Sequence, residues 1–222
     1  MQCDIENFYG SISQDLFKKI LSWARSKTYI SDTAIDVILC ARRNVLFDGT
    51  DVWIRKQDSE FDIGMGSFDG AECSELTGLY LLNKMIHEEK IYSPEEVVLY
   101  RDDMLTLSEG SGPVIERRRK AMIKLFKEER LSITCESNLD SVQFLDVLFD
   151  LNDGSYKPYH KLNAKVQYVS TYSNHPRIVL DNIPRGINQR LVNISSDENS
   201  FNSEKNIFQE ALRKSGHSHV LS

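Results

Sequence analysis

Two apolar segments flank three charged residues between positions 97 and 107, where the sequence is VVLYRDDMLTL. Arg101, Asp102 and Asp103 interrupt a run that otherwise has the apolar, β-branched character of buried strand. Neighbouring side chains of a strand point to opposite faces, so two adjacent aspartates inside a regular strand could not reach the same solvent. The segment therefore predicts a β-hairpin with the aspartates at its tip.

An acidic pair at a turn has an ordinary explanation, because Asp is a favoured turn residue. Two features favour a functional one: the arms are apolar on both sides, and the tip lacks the Gly or Asn of a tight hairpin. Close carboxylates repel each other, and a proton or a divalent cation relieves the repulsion. Mg²⁺ is the natural candidate, since it binds a few carboxylates and completes its octahedron with water and phosphate oxygens.

A third carboxylate, Asp4, ends another short strand-like segment and precedes a turn and a helix. On a strand beside the hairpin, Asp4 would complete a site for two metal ions about 4 Å apart. Such a pair activates an attacking oxygen and stabilises a leaving one in phosphoryl transfer.

Apolar residues at helical spacing predict several helices. Ser13 and Ser31 are the predicted N-caps of the first two. Asp69 and Glu72 form a capping-box pattern before a third, and a last helix ends at Gly216. A further helix is predicted at residues 113–130. The side chains predicted to face inward on the first three are Leu16, Ile20, Trp23, Ala24, Ile35, Ile38, Leu39, Leu46, Leu76, Leu79, Tyr80 and Ile86.

Short apolar segments bounded by turn residues predict the remaining strands. A polar turn at residues 57–60 would join two of them, and the Asn-Asp-Gly sequence at 152–154 predicts a hairpin turn. Paired strands with intervening helices predict an α+β fold, with an antiparallel sheet covered by helices on one side. The predicted strands are residues 3–9, 51–56, 60–66, 131–136, 142–151 and 155–161.

The charge of the chain is unevenly distributed. The formal net charge is −6, yet residues 155–190 hold six basic residues and one acid. Tyrosines lie among these bases, as on surfaces that stack single-stranded bases, and a second basic cluster lies at 117–127. Both clusters indicate nucleic-acid binding weakly, because a solvated helix or loop face has the same composition.

Cysteine spacing and hydropathy set further expectations. The four cysteines show neither zinc-site nor disulfide-framework spacing, so we expect neither, and a reducing intracellular compartment. No apolar run is long enough to span a bilayer, and no signal-peptide pattern is present, so no membrane partner is expected. The cysteines are Cys3, Cys40, Cys73 and Cys135.

Three motifs resemble those of reverse transcriptases and occur in the same order. DIENFYGSI at residues 4–12 resembles the first palm motif, an Asp with an aromatic residue five positions later. MGSFDGAECSEL at 65–76 resembles the glycine-containing motif before the palm helix, and YRDD at 100–103 resembles Tyr-x-Asp-Asp. The similarity extends to about Arg190 and is nearest to Penelope-like and related non-LTR elements.

The resemblance implies an RNA-directed DNA polymerase palm at residues 1–154, with a helical and hairpin insertion at 11–62. Residues 155–222 would form a primer grip and a partial thumb, and the fingers would be largely missing. The implied partners are an RNA template, a DNA primer and deoxynucleoside triphosphates, and the implied cofactor is a pair of Mg²⁺ ions, with Mn²⁺ as a substitute. The implied metal-binding catalytic residues are Asp4, Asp102 and Asp103. The residues implied at the nucleotide are Ile5, Tyr9, Met65 and Gly66, and Tyr9 would exclude the sugar 2′-hydroxyl. The residues implied at the primer or nucleic acid are Tyr100, Arg101, Lys157, Tyr159 and Lys161.

Several positions depart from the family pattern. Arg101 replaces a smaller residue, Phe68 and Asp69 stand where relatives often have proline and serine, and Arg130 replaces a frequent glycine. With the fingers missing, we expect a fragment with weak or no activity alone. One alternative is a catalytically dead relic that only binds nucleic acid through residues 155–190. Another is a palm-like nucleotide cyclase, which Tyr9 and the basic segment make less favoured.

Overall fold

The computed structural model of the chain describes residues 1–54, 60–161 and 165–222. The chain forms two compact units, Met1–Ser137 and Asn138–Ser222, and both combine α-helices with antiparallel sheets. The predicted mixture of helices and antiparallel strands is therefore confirmed. Most of the turn predicted at 57–60 lies outside the described residues. Within the described ranges, no helix has both the length and the apolarity needed to cross a bilayer.

A four-stranded antiparallel sheet organises the first unit. Burial alternates along β1, where Cys3 and Ile5 point into the core and Asp4 points to the other face. One face of the sheet is therefore covered by protein, and the other carries the exposed side chains. The strands lie side by side in the order β4 (Val97–Tyr100), β5 (Asp103–Thr106), β1 (Gln2–Ile5) and β6 (Ile133–Glu136).

Helices cover the buried face of this sheet. Their apolar side chains form one core with the inward-facing residues of β1 and β5, including Phe17, Leu81, Phe126 and Met104. A π-helical turn, Lys84–Glu88, continues the fourth helix. The helices of the first unit are α1 (Phe8–Ser11), α2 (Gln14–Lys27), α3 (Asp32–Cys40), α4 (Gly70–Asn83) and α5 (Gly112–Glu128).

The two serine N-caps are confirmed. The Ser13 hydroxyl accepts a hydrogen bond from the Leu16 amide at 3.2 Å, and the Ser31 hydroxyl accepts one from the Ala34 amide at 3.1 Å. Each serine thereby satisfies one of the amides that have no acceptor within their own helix.

The segment after α3 corrects three predictions. Because α3 ends at Cys40, Leu46 is not on its inner face but in β2 (Leu46–Phe47), where it is 75% exposed. The strand predicted at 51–56 was expected to pair with residues 60–66, which follow it. Its described part, β3 (Val52–Trp53), pairs instead with β2, which precedes it in the chain. Residues 60–66 form only an isolated bridge at Phe61. On α4, Leu79 is exposed because the helix turns Tyr80 and Leu81 toward the core.

A three-stranded sheet and two helices form the second unit. Residues 142–151 were predicted as one strand, but the chain reverses at Leu145, which has a φ of 54°. The turn at 152–154 is confirmed, with Gly154 at a φ of 76°. The elements are β7 (Ser141–Phe144), β8 (Val147–Asp150), β9 (Tyr156–Pro158), α6 (Arg177–Asn193) and α7 (Glu198–Lys214).

The two compact units divide between Ser137 and Asn138, and the functional boundary expected between residues 154 and 155 stays a prediction. In the second unit, β8 pairs with β9 through Leu148 and Lys157. The second unit has its own small core, formed by Leu191, Phe201, Leu212 and Leu221. Strands β7 and β8 therefore belong with the helices that follow them.

Candidate active site

The predicted hairpin is present and places the acidic residues at the edge of its turn. Strands β4 and β5 pair from Val97–Thr106 to Tyr100–Asp103, and Arg101 and Asp102 alone form the connection. Asp103 is thus the first residue of β5 rather than part of the tip. Arg101 has a φ of 55°, in the left-handed region that a two-residue hairpin turn normally gives to glycine.

Strand β1 brings Asp4 directly opposite Asp103. The Ile5 amide donates to the Asp102 carbonyl at 2.9 Å, so Ile5 and Asp102 form a hydrogen-bonded pair of the ladder. Hydrogen-bonded and non-hydrogen-bonded pairs alternate, which makes Asp4 and Asp103 a non-hydrogen-bonded pair, the kind with the closest side chains. The predicted meeting of Asp4 with the hairpin acids is therefore present in the strand register.

Both carboxylates lie on the sheet face that the helices leave uncovered. A single row across this face runs from Tyr100 through Asp103 and Asp4 to Thr134. Burial, and next the Asp102 carboxylate, raise the pKa of Asp4 above its usual range. Like charges directly opposite each other in a sheet are destabilising, and a bound cation would relieve that repulsion.

The backbone and the side chains give different information about a metal. The register fits a divalent cation, because it places Asp4 opposite Asp103 on one face. The side chains do not converge: across residues 1–54, 60–161 and 165–222, no three His, Cys, Asp or Glu side chains form a group that could hold a metal ion. The backbone therefore brings the expected ligands near each other, but their side chains do not form a metal-binding group among the described residues.

Two of the residues expected at the nucleotide, Ile5 and Tyr9, already make contacts within the first unit. Ile5 is buried, and its amide donates to the Asp102 carbonyl, so the role implied for its backbone at a triphosphate stays a prediction. The Tyr9 hydroxyl lies 3.4 Å from the Ser74 hydroxyl, which donates to it, and the Tyr9 ring meets Phe8 edge to face. Tyr9 thereby connects α1 to the buried side of α4.

Met65 and Gly66 lie in an exposed loop that leads into α4. Met65 is 84% exposed, and Gly66 has a φ of 89°, which a residue with a side chain adopts only with strain. The same loop closes tightly at Gly70, where an added Cβ would approach the Gly64 carbonyl oxygen to 2.7 Å. Both glycines are required by the path of the loop.

A buried arginine anchors this loop and corrects the capping-box prediction. Asp69 precedes α4 but makes no side-chain capping bond; its carboxylate instead pairs with Arg42, which is 5% exposed. Arg42 also donates to the Ser67 hydroxyl at 3.4 Å. Asp69 thus supplies the countercharge of a buried cation.

The hairpin residues expected at the primer are stacked on each other. Tyr100 is 49% exposed on the uncovered face, and the Arg101 guanidinium carbon lies 5.2 Å from the centre of its ring. The Arg101 Nε is buried and has no hydrogen-bond partner among the residues that the structure describes. This cation–π contact keeps the long side chain of Arg101 beside the tyrosine.

The basic segment of the second unit is partly neutralised. Lys157 pairs with Glu204 at 2.9 Å, and Arg190 pairs with Asp146, so acids outside residues 155–190 offset two of its charges. Lys161 is exposed, and Tyr159 is half-buried and donates its amide to the Asp146 carbonyl. The local excess of positive charge counted along the sequence is therefore larger than the excess on the folded surface.

Two side chains important for the site were not predicted. Arg42 holds the loop at Asp69, and Ser74 contacts Tyr9 from α4. Neither residue stands in a local pattern that separates it from an ordinary polar residue of a helix. Comparison of the whole chain with protein-family models and with curated proteins finds no match.

Proposed function

We propose that the first unit is a polymerase palm and that the chain belongs to an RNA-directed DNA polymerase of a retroelement. The observation that supports this most is the register of β1 against β5. It brings Asp4 opposite Asp103 and next to Asp102, on the sheet face free of helices. The register thereby brings together two sequence motifs about a hundred positions apart, which supports the proposal.

In this proposal, Asp4 and Asp102 are the principal ligands of two Mg²⁺ ions, with Asp103 beside them. When bound, the ions would lower the pKa of the primer 3′-hydroxyl and neutralise the charge that develops on the phosphates. The side chains of Asp4 and Asp102 would rotate toward each other on binding, since their repulsion is then removed. Mn²⁺ would occupy the same positions.

The remaining residues of the first unit would orient the substrates. Tyr9, which contacts Phe8 and Ser74, would lie against the sugar and exclude a 2′-hydroxyl. Met65 and Gly66 would contact the nucleotide or the templating base, because the loop exposes its backbone there. Tyr100 and Arg101 would contact the primer end, and Lys157, Tyr159 and Lys161 the nucleic-acid backbone.

A second candidate function is nucleic-acid binding without catalysis. The exposure of Lys161, of Lys165 and, at 93%, of Tyr172 favours it, because these side chains are available for phosphate and base contacts. The ion pairs of Lys157 and Arg190 reduce the number of free cations. Binding through this segment would weaken steeply with salt.

Primer extension separates the two functions. The chain, alone and joined to a fingers segment from a related element, would be given a primed RNA template, deoxynucleotides and Mg²⁺ or Mn²⁺. We expect metal-dependent extension that falls at least a hundredfold in Asp102→Asn, because the variant keeps the shape of the side chain but loses its charge. Glu136→Gln is the matched control, since Glu136 is an exposed carboxylate on the same sheet face.

The outcomes are distinguishable. Extension that is equal in wild type, Asp102→Asn and Glu136→Gln would refute the assignment of Asp102. Salt-sensitive RNA binding without extension in either form of the protein would favour the binding-only function. Product formation from nucleotides alone, without template, would indicate a cyclase-like enzyme instead.

A further inference from the structure

Two cysteines that are far apart in the sequence meet on neighbouring strands of the first unit. Cys3 of β1 is the register partner of Cys135 of β6. The Glu6 amide donates to the Ser132 carbonyl at 3.0 Å, so Glu6 and Ser132 form a hydrogen-bonded pair. Counting along the ladder, Cys3 and Cys135 form a non-hydrogen-bonded pair, whose side chains leave the sheet on the same face and lie closest together.

This geometry suits a disulfide. Cα atoms of a non-hydrogen-bonded pair lie about 4.5 Å apart, within the range of about 4.4–6.8 Å that disulfides span. The two thiols are free and interact through a hydrogen bond. Both side chains lie on the core face of the sheet, opposite to the face that carries Asp4.

We propose that Cys3 and Cys135 are a redox-active dithiol that forms a reversible cross-strand disulfide when exposed to a hydroperoxide or a small-molecule disulfide oxidant. Cys3 is buried and Cys135 is half-buried, so Cys135 is the sulfur that meets the oxidant first. Arg119 of α5 interacts electrostatically with the Cys135 thiol and favours its thiolate form. The hydrogen bond from Cys3 lowers the pKa of the Cys135 thiol in the same sense.

The reaction with hydrogen peroxide balances as follows. The Cys135 sulfur attacks one peroxide oxygen, the O–O bond breaks, and a sulfenic acid and one water are produced. The Cys3 sulfur then displaces the sulfenic hydroxyl as a second water, and the S–S bond forms. The two sulfurs lose two electrons in total, which reduce the peroxide to water. The dithiol would react in this way whether or not Asp4 holds a metal ion.

Thiol counting and peptide mapping test the proposal. The full chain would be treated with one equivalent of hydrogen peroxide, and its free thiols would be titrated in denaturant. We expect the wild-type protein to fall from four free thiols to two and to yield a peptide linking Cys3 to Cys135, which a phosphine reductant separates. Cys40→Ser, which removes an exposed thiol, is expected to fall from three to one.

Cys135→Ser and Cys3→Ser should each keep three free thiols under the same treatment, with circular dichroism confirming that both variants fold. Each variant removes one of the two cysteines of the pair. If one variant does not fold, the other still tests the proposal. Four thiols remaining in the treated wild-type protein, or a disulfide linking any other pair of cysteines, would overturn the proposal.

Discussion

At the scale of single residues, Arg130 is the clearest case of a side chain at odds with its backbone. It follows α5 with a φ of 60°, its amide bonds to the Lys127 carbonyl, and the Leu131 amide bonds to the Phe126 carbonyl. This is the C-terminal position at which helices favour glycine, and a side chain there costs about 1 kcal/mol. We expect Arg130→Gly to raise the free energy of unfolding by about that amount in urea denaturation.

The matched control is Lys124→Gly, an exposed position in the interior of the same helix. Glycine there lacks any backbone advantage and should lower the free energy of unfolding by about 1 kcal/mol. The opposite signs of the two glycine substitutions are the expected result. Destabilisation by both would contradict the left-handed conformation of Arg130.

At the scale of elements, one buried carboxylate ties three helices together. Glu129, at the end of α5, accepts hydrogen bonds from Lys19 of α2 at 2.7 Å, from Lys84 beyond α4 at 2.5 Å, and from the Tyr80 hydroxyl at 3.1 Å. Burial alone would raise the pKa of Glu129, but the bonds from the two lysines outweigh it and lower the pKa. The ionised carboxylate is therefore the form that stabilises the helix packing.

A pH dependence with a definite sign follows. Because the folded-state pKa of Glu129 is lowered, its stabilisation is complete above the unfolded value of about 4.3 and is lost as the pH falls through the folded-state value. We expect Glu129→Gln to lower the free energy of unfolding by about 2–3 kcal/mol at pH 7, with the difference from wild type shrinking at acidic pH. Chemical denaturation at several pH values measures this.

Glu128→Gln provides the comparison for that experiment. Glu128 is half-exposed and lies 3.7 Å from Lys124, so its loss should change the free energy of unfolding by less than about 0.5 kcal/mol at any pH. An equally small effect of Glu129→Gln at pH 7 would show that the buried network does not stabilise the three helices.

Elements with strong local signals could be predicted from the sequence, and those without them could not. Helix α2 carries a serine cap and a periodic apolar face, and its start is correct to the residue. Helix α6 was missed, because Pro184 and Gly186 interrupt its pattern even though Leu180 and Leu191 are buried. Helix α7 begins at Glu198, where Asp197 caps it, and its predicted end at Gly216 is confirmed by a φ of 85°.

At the scale of the whole molecule, contacts between distant segments depend on strand register and tertiary packing. The meeting of Asp4 with the hairpin acids was predictable, because the order of three motifs carried that information. The pairing of Cys3 with Cys135 and of Arg42 with Asp69 was not. In each of those cases no pattern near either residue identifies its partner, and only the folded sheet and loop bring the two together.

Metal binding at the uncovered face tests the central claim most directly, because it depends only on the acidic residues of the first unit. Mn²⁺ binding would be titrated by electron paramagnetic resonance in the presence of a deoxynucleoside triphosphate, for wild type, Asp4→Asn, Asp102→Asn and Glu136→Gln. We predict that each aspartate substitution weakens Mn²⁺ binding at least tenfold while Glu136→Gln leaves it unchanged. Equal Mn²⁺ affinity in all four proteins would contradict a polymerase metal site formed by Asp4 and Asp102.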